Sequence, residues 1–97
     1  AAAQFIHAHC TDALTLETIC AASSLSKSYL IRAFKDYHGM TPHAYLTNSR
    51  ILYAQQRLKA GDPLAQIALD AGFADQAHFQ RQFKRLVAAT PAQYRAI

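Results

Sequence analysis

The chain has no tryptophan, only two cysteines and only six acidic residues among its 97, and each shortage narrows what it can be. Without tryptophan, a core has to come from Leu, Ile, Phe, Tyr and many Ala. Cys10 and Cys20 make neither a disulfide framework nor a four-ligand zinc site, and both lie among apolar neighbours, where a small buried thiol is the ordinary reading. His7, His9 and Cys10 change nothing here, because i, i+2 spacing splits a helix face and no fourth ligand follows. No metal and no cofactor is expected. The six carboxylates are scattered over helix starts and surfaces, and His38 and His43 have no partner for catalysis, so an enzyme is not expected either. No apolar run approaches the roughly 18 residues of a membrane span. The start, Ala1 to Ala3, lacks the charged region of a signal peptide. A reduced, cytoplasmic setting fits these absences, and a first residue other than Met suggests a piece cut from a longer protein.

What is present suits one small all-α domain. Hydrophobic residues make up 52% of the chain, and ten Lys and Arg against six Asp and Glu give a net charge of +4, which points to a polyanionic partner. The most fully specified element runs from Thr41 to Gly61. Thr41 can cap its first turn, Pro42 sits where a missing N–H costs nothing, and Lys59 and Gly61 suit a helix end. Leu46, Ile51, Ala54 and Leu58 fall on one side of that helix, with Tyr45 and Leu52 on the far side, so two apolar faces are expected. Before it, a short helix is expected up to Cys10. A second would be capped by Thr15 and end near Ser23 and Ser24, and a third, capped by Ser26, would end at Gly39. In the third, Leu30, Ala33, Phe34 and Tyr37 form the expected inward face. After Gly61, Asp62 is the expected cap and Pro63 the first helical residue of a helix ending near Gly72, and Asp75 caps the next.

This grammar is a repeat. Leu16, Ile19 and Leu25 match Leu64, Ile67 and Phe73 at an offset of 48 (16 to 64). Arg32, Phe34, Lys35, Thr41, Pro42 and Tyr45 match Arg81, Phe83, Lys84, Thr90, Pro91 and Tyr94 at 49 (32 to 81). The pattern R-x-F-K-x5-T-P-x-x-Y thus occurs twice, each time on a helix that follows a short helix and a tight turn, which is the helix-turn-helix layout. The expected division is a first helix-turn-helix over 15–38, a linker helix over 42–60 and a second helix-turn-helix over 63–87.

In such a unit the second helix is held at the surface by the first, with one face free to enter a groove about 12 Å wide. On the first unit that face carries Ser28, Ile31, Arg32 and Lys35, with Ser26 and Lys27 at the entry end. On the second it carries Ala77, Gln80, Arg81 and Lys84, with Gln76 and His78 at the entry end, while Phe79, Gln82, Phe83 and Leu86 form the expected packed side. Arg32 and Arg81 can fork onto guanine O6 and N7, Gln76 and Gln80 can pair with adenine, Ile31 can meet a thymine methyl, and Lys35 and Lys84 suit phosphates. For a single Arg and Lys pair a solvated helix face is the better reading, but the duplication of the pair reverses that preference. Tyr45 and Tyr94 are expected to anchor the core rather than to stack on bases.

The segments L-S-K-S-Y-L-I-R-A-F-K (25–35), G-M-T-P-H-A-Y-L (39–46), I-A-L-D-A-G-F-A-D-Q-A-H-F-Q-R-Q-F-K (67–84) and T-P-A-Q-Y-R (90–95) resemble the DNA-binding domain of the AraC/XylS family of bacterial transcription regulators, over roughly residues 8 to 97. The resemblance implies a domain over 1–97 with two helix-turn-helix units on a long helix, reading neighbouring major-groove segments of double-stranded DNA. It implies a C-terminal position, an effector or dimerisation domain upstream, and a transcription activator placed beside RNA polymerase, with repression also open. Three positions depart from the usual pattern: Ser24 and Ala88 stand where glycine is common, and Ile31 where a polar reader is frequent.

A helical protein-interaction module is the competing expectation, since +4 is modest for a DNA binder. The outward faces at 28, 31, 32, 35 and 77, 80, 81, 84 hold one isoleucine and four cations, whereas a docking surface would carry a larger apolar patch. The long helix, about 28 Å from Pro42 to Ala60, would set the two readers about one turn of duplex apart.

Overall fold

A computed structural model describes residues 2–97. Seven helices and, among the described residues, no strand are present: α1 (Ala2–Ala8), α2 (Leu16–Ser23), α3 (Lys27–His38), α4 (Pro42–Lys59), α5 (Leu64–Asp70), α6 (Gln76–Val87) and α7 (Pro91–Ala96).

Local chemistry explains most boundaries. Oxygens of Thr15, Ser26, Thr41, Asp75 and Thr90 each accept from the backbone N–H three residues on, which satisfies a donor that the first turn would otherwise leave open. At Thr15 and Thr90 the bond is returned, by Thr18 and Gln93 to the cap residue's own N–H. The capping oxygen expected of Asp62 is absent. Helix α5 starts at Leu64 with Pro63 as its N-cap and no side-chain bond, because Arg57 has drawn the Asp62 carboxylate away.

Three helices end in left-handed residues: α2 at Ser24 (φ 59°), α3 at Gly39 (φ 72°) and α6 at Ala88 (φ 64°). Ser24 and Ala88 are the positions where glycine would be unstrained, and each carries a penalty of about 1 kcal/mol. Gly72, in the turn between α5 and α6, has φ 94°, a backbone conformation that favours glycine, and a Cβ there would lie 2.9 Å from Nε at the flexible end of Arg50, which would have to shift.

The chain forms two compact units, one running through Ser49 and one from Arg50 to Ile97. In the first, Ile6, Cys10, Ile19, Leu30, Phe34 and Leu46 form the core, with Phe5, Leu25 and Tyr45 packed against it. In the second, Ile51, Ala54, Leu58, Ile67, Ala68, Ala71, Phe73, Phe79 and Phe83 do so, with Leu64, Val87 and Tyr94 at the edge. Phe79, Phe83 and Ile67 are fully buried, each worth about 1.5–3 kcal/mol of transfer free energy. These cores give α3 and α6 one inward face each and leave the opposite faces to solvent.

Three residues sorted inward by helical periodicity are not covered. Tyr37 is 87% exposed, Leu86 38% and Leu52 54%. Tyr37 and Leu86 each stand three residues beyond a buried phenylalanine, Phe34 and Phe83, in the last turn of the helix. A helical wheel gives direction around the axis, not how far along it a partner extends.

Candidate nucleic-acid interface

The outward face of α3 exists because Leu30 and Phe34 pull the other face into the core. Ser28, Ile31, Arg32 and Lys35 all lie exposed on it. Ser26, at its start, accepts from Tyr29 N–H at 3.3 Å, so its oxygen serves the helix while its hydroxyl hydrogen remains a donor. Lys27 is engaged with Glu17 at 3.4 Å, across two exposed side chains. The Glu17 carboxyl is held below its usual range by its own backbone N–H and then by Lys27. Such an exposed pair contributes little to stability. Ile31 also borders an apolar depression with Leu14, Ile19, Pro42 and Leu46.

On α6, Phe79 and Phe83 hold the helix down, and Gln76, Ala77, Arg81 and Lys84 are exposed on the remaining surface. Gln80 is half-buried at the flank of that face. His78 is half-buried as well, and its ring meets the Phe73 ring edge to face at 5.5 Å. The structure therefore brings Gln76, Ala77, Arg81 and Lys84 together and turns His78 partly toward the core. Asp75 accepts from the His78 N–H at 2.7 Å, so this acidic residue at the entry end is committed as a cap.

The charged side chains divide sharply. Lys27 pairs with Glu17, Arg57 with Asp62 and Asp70, Arg85 donates to Gln82, Lys59 to the Tyr94 carbonyl and Arg95 to the Asp62 carbonyl, and Arg50 is also engaged. Among the described residues, the side chains of Arg32, Lys35, Arg81 and Lys84 alone among those of the lysines and arginines make no hydrogen bond or ion pair within the chain. Those four are the duplicated Arg and Lys of the repeat, exposed on α3 and α6. A guanidinium with all five donors free can take two acceptors as a fork, and a free ammonium can take a phosphate as a point charge.

Arg57 is the main feature that sequence reasoning missed. Its partners Asp62 and Asp70 lie five and thirteen residues on (57 to 62, 57 to 70), spacings that no helical rule connects. An arginine between apolar Ala54 and Leu58, with two acidic residues flanking the next helix, was the available signal. Among the described residues there is no group of three or more His, Cys, Asp or Glu placed to hold a metal, and no helix is long and apolar enough to cross a membrane.

A helix-turn-helix domain model matches residues 19–97 of the chain. The probable transcription factor PqrA of Proteus vulgaris is 39% identical over 87% of this chain and 70% of its own length. The transcriptional regulator MtrA of Neisseria gonorrhoeae is 34% identical over 87% of this chain, which spans only 28% of that protein. Among solved structures, an AraC-type DNA-binding-domain regulator from Chromobacterium violaceum superposes with a TM-score of 0.93 at 29% identity, over 98% of this chain and 86% of that one. The DNA-binding domain of the global transcriptional factor AdpA, solved in complex with a target DNA, gives 0.90 at 27% identity over the same shares.

Proposed function

Because the chain belongs to the AraC-type family of helix-turn-helix transcription regulators, we propose that it is a sequence-specific DNA-binding domain whose α3 and α6 each enter the major groove of one duplex. The observation that carries this reading is the set of four uncommitted cations, Arg32, Lys35, Arg81 and Lys84, on the two exposed helix faces. A solvated surface would spread its free charge, and a protein-docking surface would favour apolar contact. Unpaired Arg and Lys repeated at one register suit an acceptor-lined groove flanked by phosphates.

Arg32 and Arg81 read guanine, Gln76 and Gln80 read adenine, Ile31 meets a thymine methyl, and Lys35 and Lys84 hold phosphates. Ser26, Ser28, Ala77 and His78 shape the contact at the entry ends, and Lys27 joins them if DNA displaces Glu17. The two faces are unlike, Ser28 and Ile31 against Ala77 and Gln80, so the two sequence segments differ and one copy of the chain needs no palindrome. In the whole regulator this domain works in the bacterial cytoplasm, follows an effector or dimerisation domain, and activates by placing itself beside RNA polymerase. On this reading it performs no reaction.

Selection of duplexes from a random pool by the 97-residue chain tests the reading. Two unlike blocks of base preference are expected. Recovery of no sequence above the starting pool would overturn it.

A further inference from the structure

One guanidinium grips both ends of α5. Arg57, in the last turn of α4, donates through Nε to the Asp62 carboxylate just before α5 begins, and its Nη1 lies 3.0 Å from the Asp70 carboxylate at the helix's last residue. The same nitrogen donates to the Tyr53 hydroxyl at 2.7 Å, which fixes the guanidinium from the α4 side. Gln66, one turn before Asp70, donates to its other oxygen at 2.8 Å. Arg95 of α7 donates to the Asp62 backbone carbonyl, and Lys59 to the Tyr94 carbonyl, so the start of α5 is also tied to the chain's last helix.

Helix α5 has only seven residues, no side-chain N-cap and exposed Leu69, and Ile67 and Ala68 are its buried residues. An element this short holds its orientation poorly by apolar contact alone. Yet α5 is the support on which α6 rests, through Phe73, Phe79 and their neighbours. In the first unit the position matching Arg57 at the offset of 48 is His9 (57 minus 48), which meets Asp12 at 3.2 Å. The positions matching Asp62 and Asp70 are Leu14 and Ala22, so no carboxylate stands at either of them, and α2 is held at its start by the reciprocal Thr15 and Thr18 bonds.

We infer that Arg57 is a positioning residue for DNA reading by α6, acting by fixing α5 at both ends. It has no donor to spare for DNA at the Nε and Nη1 positions. Its contribution is to keep Arg81 and Gln80 aimed, and loosening a supporting residue degrades the geometry of a site before it removes the site. Both the Arg57 guanidinium and the Asp70 carboxyl are shifted toward their charged forms, the first chiefly by Asp62 and then by Tyr53 and Asp70, the second by Gln66 and then Arg57. The Arg57 and Asp70 pair therefore stays charged through the neutral range.

The inference rests on the DNA-binding reading, and its test separates the two. In Arg57→Met, which keeps the stem and removes every donor, backbone amide exchange across 64–70 should quicken by about tenfold or more, while the amides of α6 hold. That measurement needs no DNA, and unchanged exchange in α5 would overturn the clamp. Selection from the random duplex pool should then show a flattened block of base preference for α6, marked by the one preference that Arg81→Ala removes. The block read by α3 and the salt dependence should stay as in the parent chain. Retention of both blocks, or equal loss of both, would overturn the positioning role. Should Arg57→Met fail to fold, Arg57→Lys serves: a single ammonium reaches one carboxylate, so a partial loss confined to the α6 block supports the inference and no loss overturns it. A parent chain that selects no sequence sinks the DNA reading, and with it the positioning role, while the exchange result still decides the clamp.

Discussion

The rings of Phe83 and Tyr94 meet edge to face at 5.6 Å and 71°, and in the other half of the repeat Phe34 and Tyr45 meet at 5.5 Å and 71°. The duplication seen in sequence thus survives as the same aromatic contact, made once in each unit between α3 or α6 and the helix that follows its T-P cap. The contact fixes which face of α3 and of α6 points inward, and so which face is left for a ligand. Because Phe83 is fully buried, Phe83→Ala should cost about 3–5 kcal/mol, read as a lowered thermal midpoint. An unchanged midpoint would reverse the inward assignment of α6.

Arg81 and Lys84 stand one turn apart on the same exposed face and should fail differently. Arg81→Ala should weaken the selected duplex by about 1–3 kcal/mol and relax preference at one base pair. Lys84→Ala should weaken all duplexes alike and reduce the slope of log affinity against log salt by about one. Titrations of selected and random duplexes at several salt concentrations distinguish the two, and equal loss on both duplexes for Arg81→Ala would contradict its role as a reader.

Ser24 and Ala88 hold left-handed backbone at φ 59° and 64° without glycine's freedom. Ser24→Gly and Ala88→Gly should each stabilise the chain by about 0.5–1 kcal/mol in urea unfolding, since relief of strain outweighs glycine's greater unfolded-state entropy. A loss of stability in both would contradict the strain.

Much of this was legible in the residues. Thr15, Ser26, Thr41, Asp75 and Thr90 announce helix starts because a cap is a local bond, made within three residues. The outward-facing positions of α3 and α6 were legible because Phe34 and Phe83 recur with their Arg and Lys neighbours in register. Asp62 misled because its competitor, Arg57, belongs to the preceding helix, and a local rule does not see a partner across a turn. Tyr37, Leu86 and Leu52 misled because periodicity assigns a side but not a partner. Leu52 shares a side of α4 with Tyr45, where Phe34 and His38 supply cover, and nothing equivalent covers Leu52.

Acid should loosen the fold in a definable window. The folded-state carboxyls of Glu17 and Asp70 lie below their usual range, so the unfolded chain takes up those protons first. Their contribution is present above the ordinary carboxylate range and is lost as pH falls through it toward the depressed folded values. Unfolding midpoints followed from about pH 6 to pH 3 should fall, and should fall less steeply in the Glu17→Gln, Asp70→Asn double variant. Identical slopes would contradict the assignment.

The central claim is that the four uncommitted cations form two separate contacts with one duplex. Footprinting of a selected duplex at a protein concentration where the chain is monomeric tests it directly, with the parent chain, the Arg32→Ala, Lys35→Ala variant and the Arg81→Ala, Lys84→Ala variant side by side. The parent should protect two segments and each double variant should lose a different one. Protection of a single segment by the parent, or loss of the same segment in both variants, would contradict it.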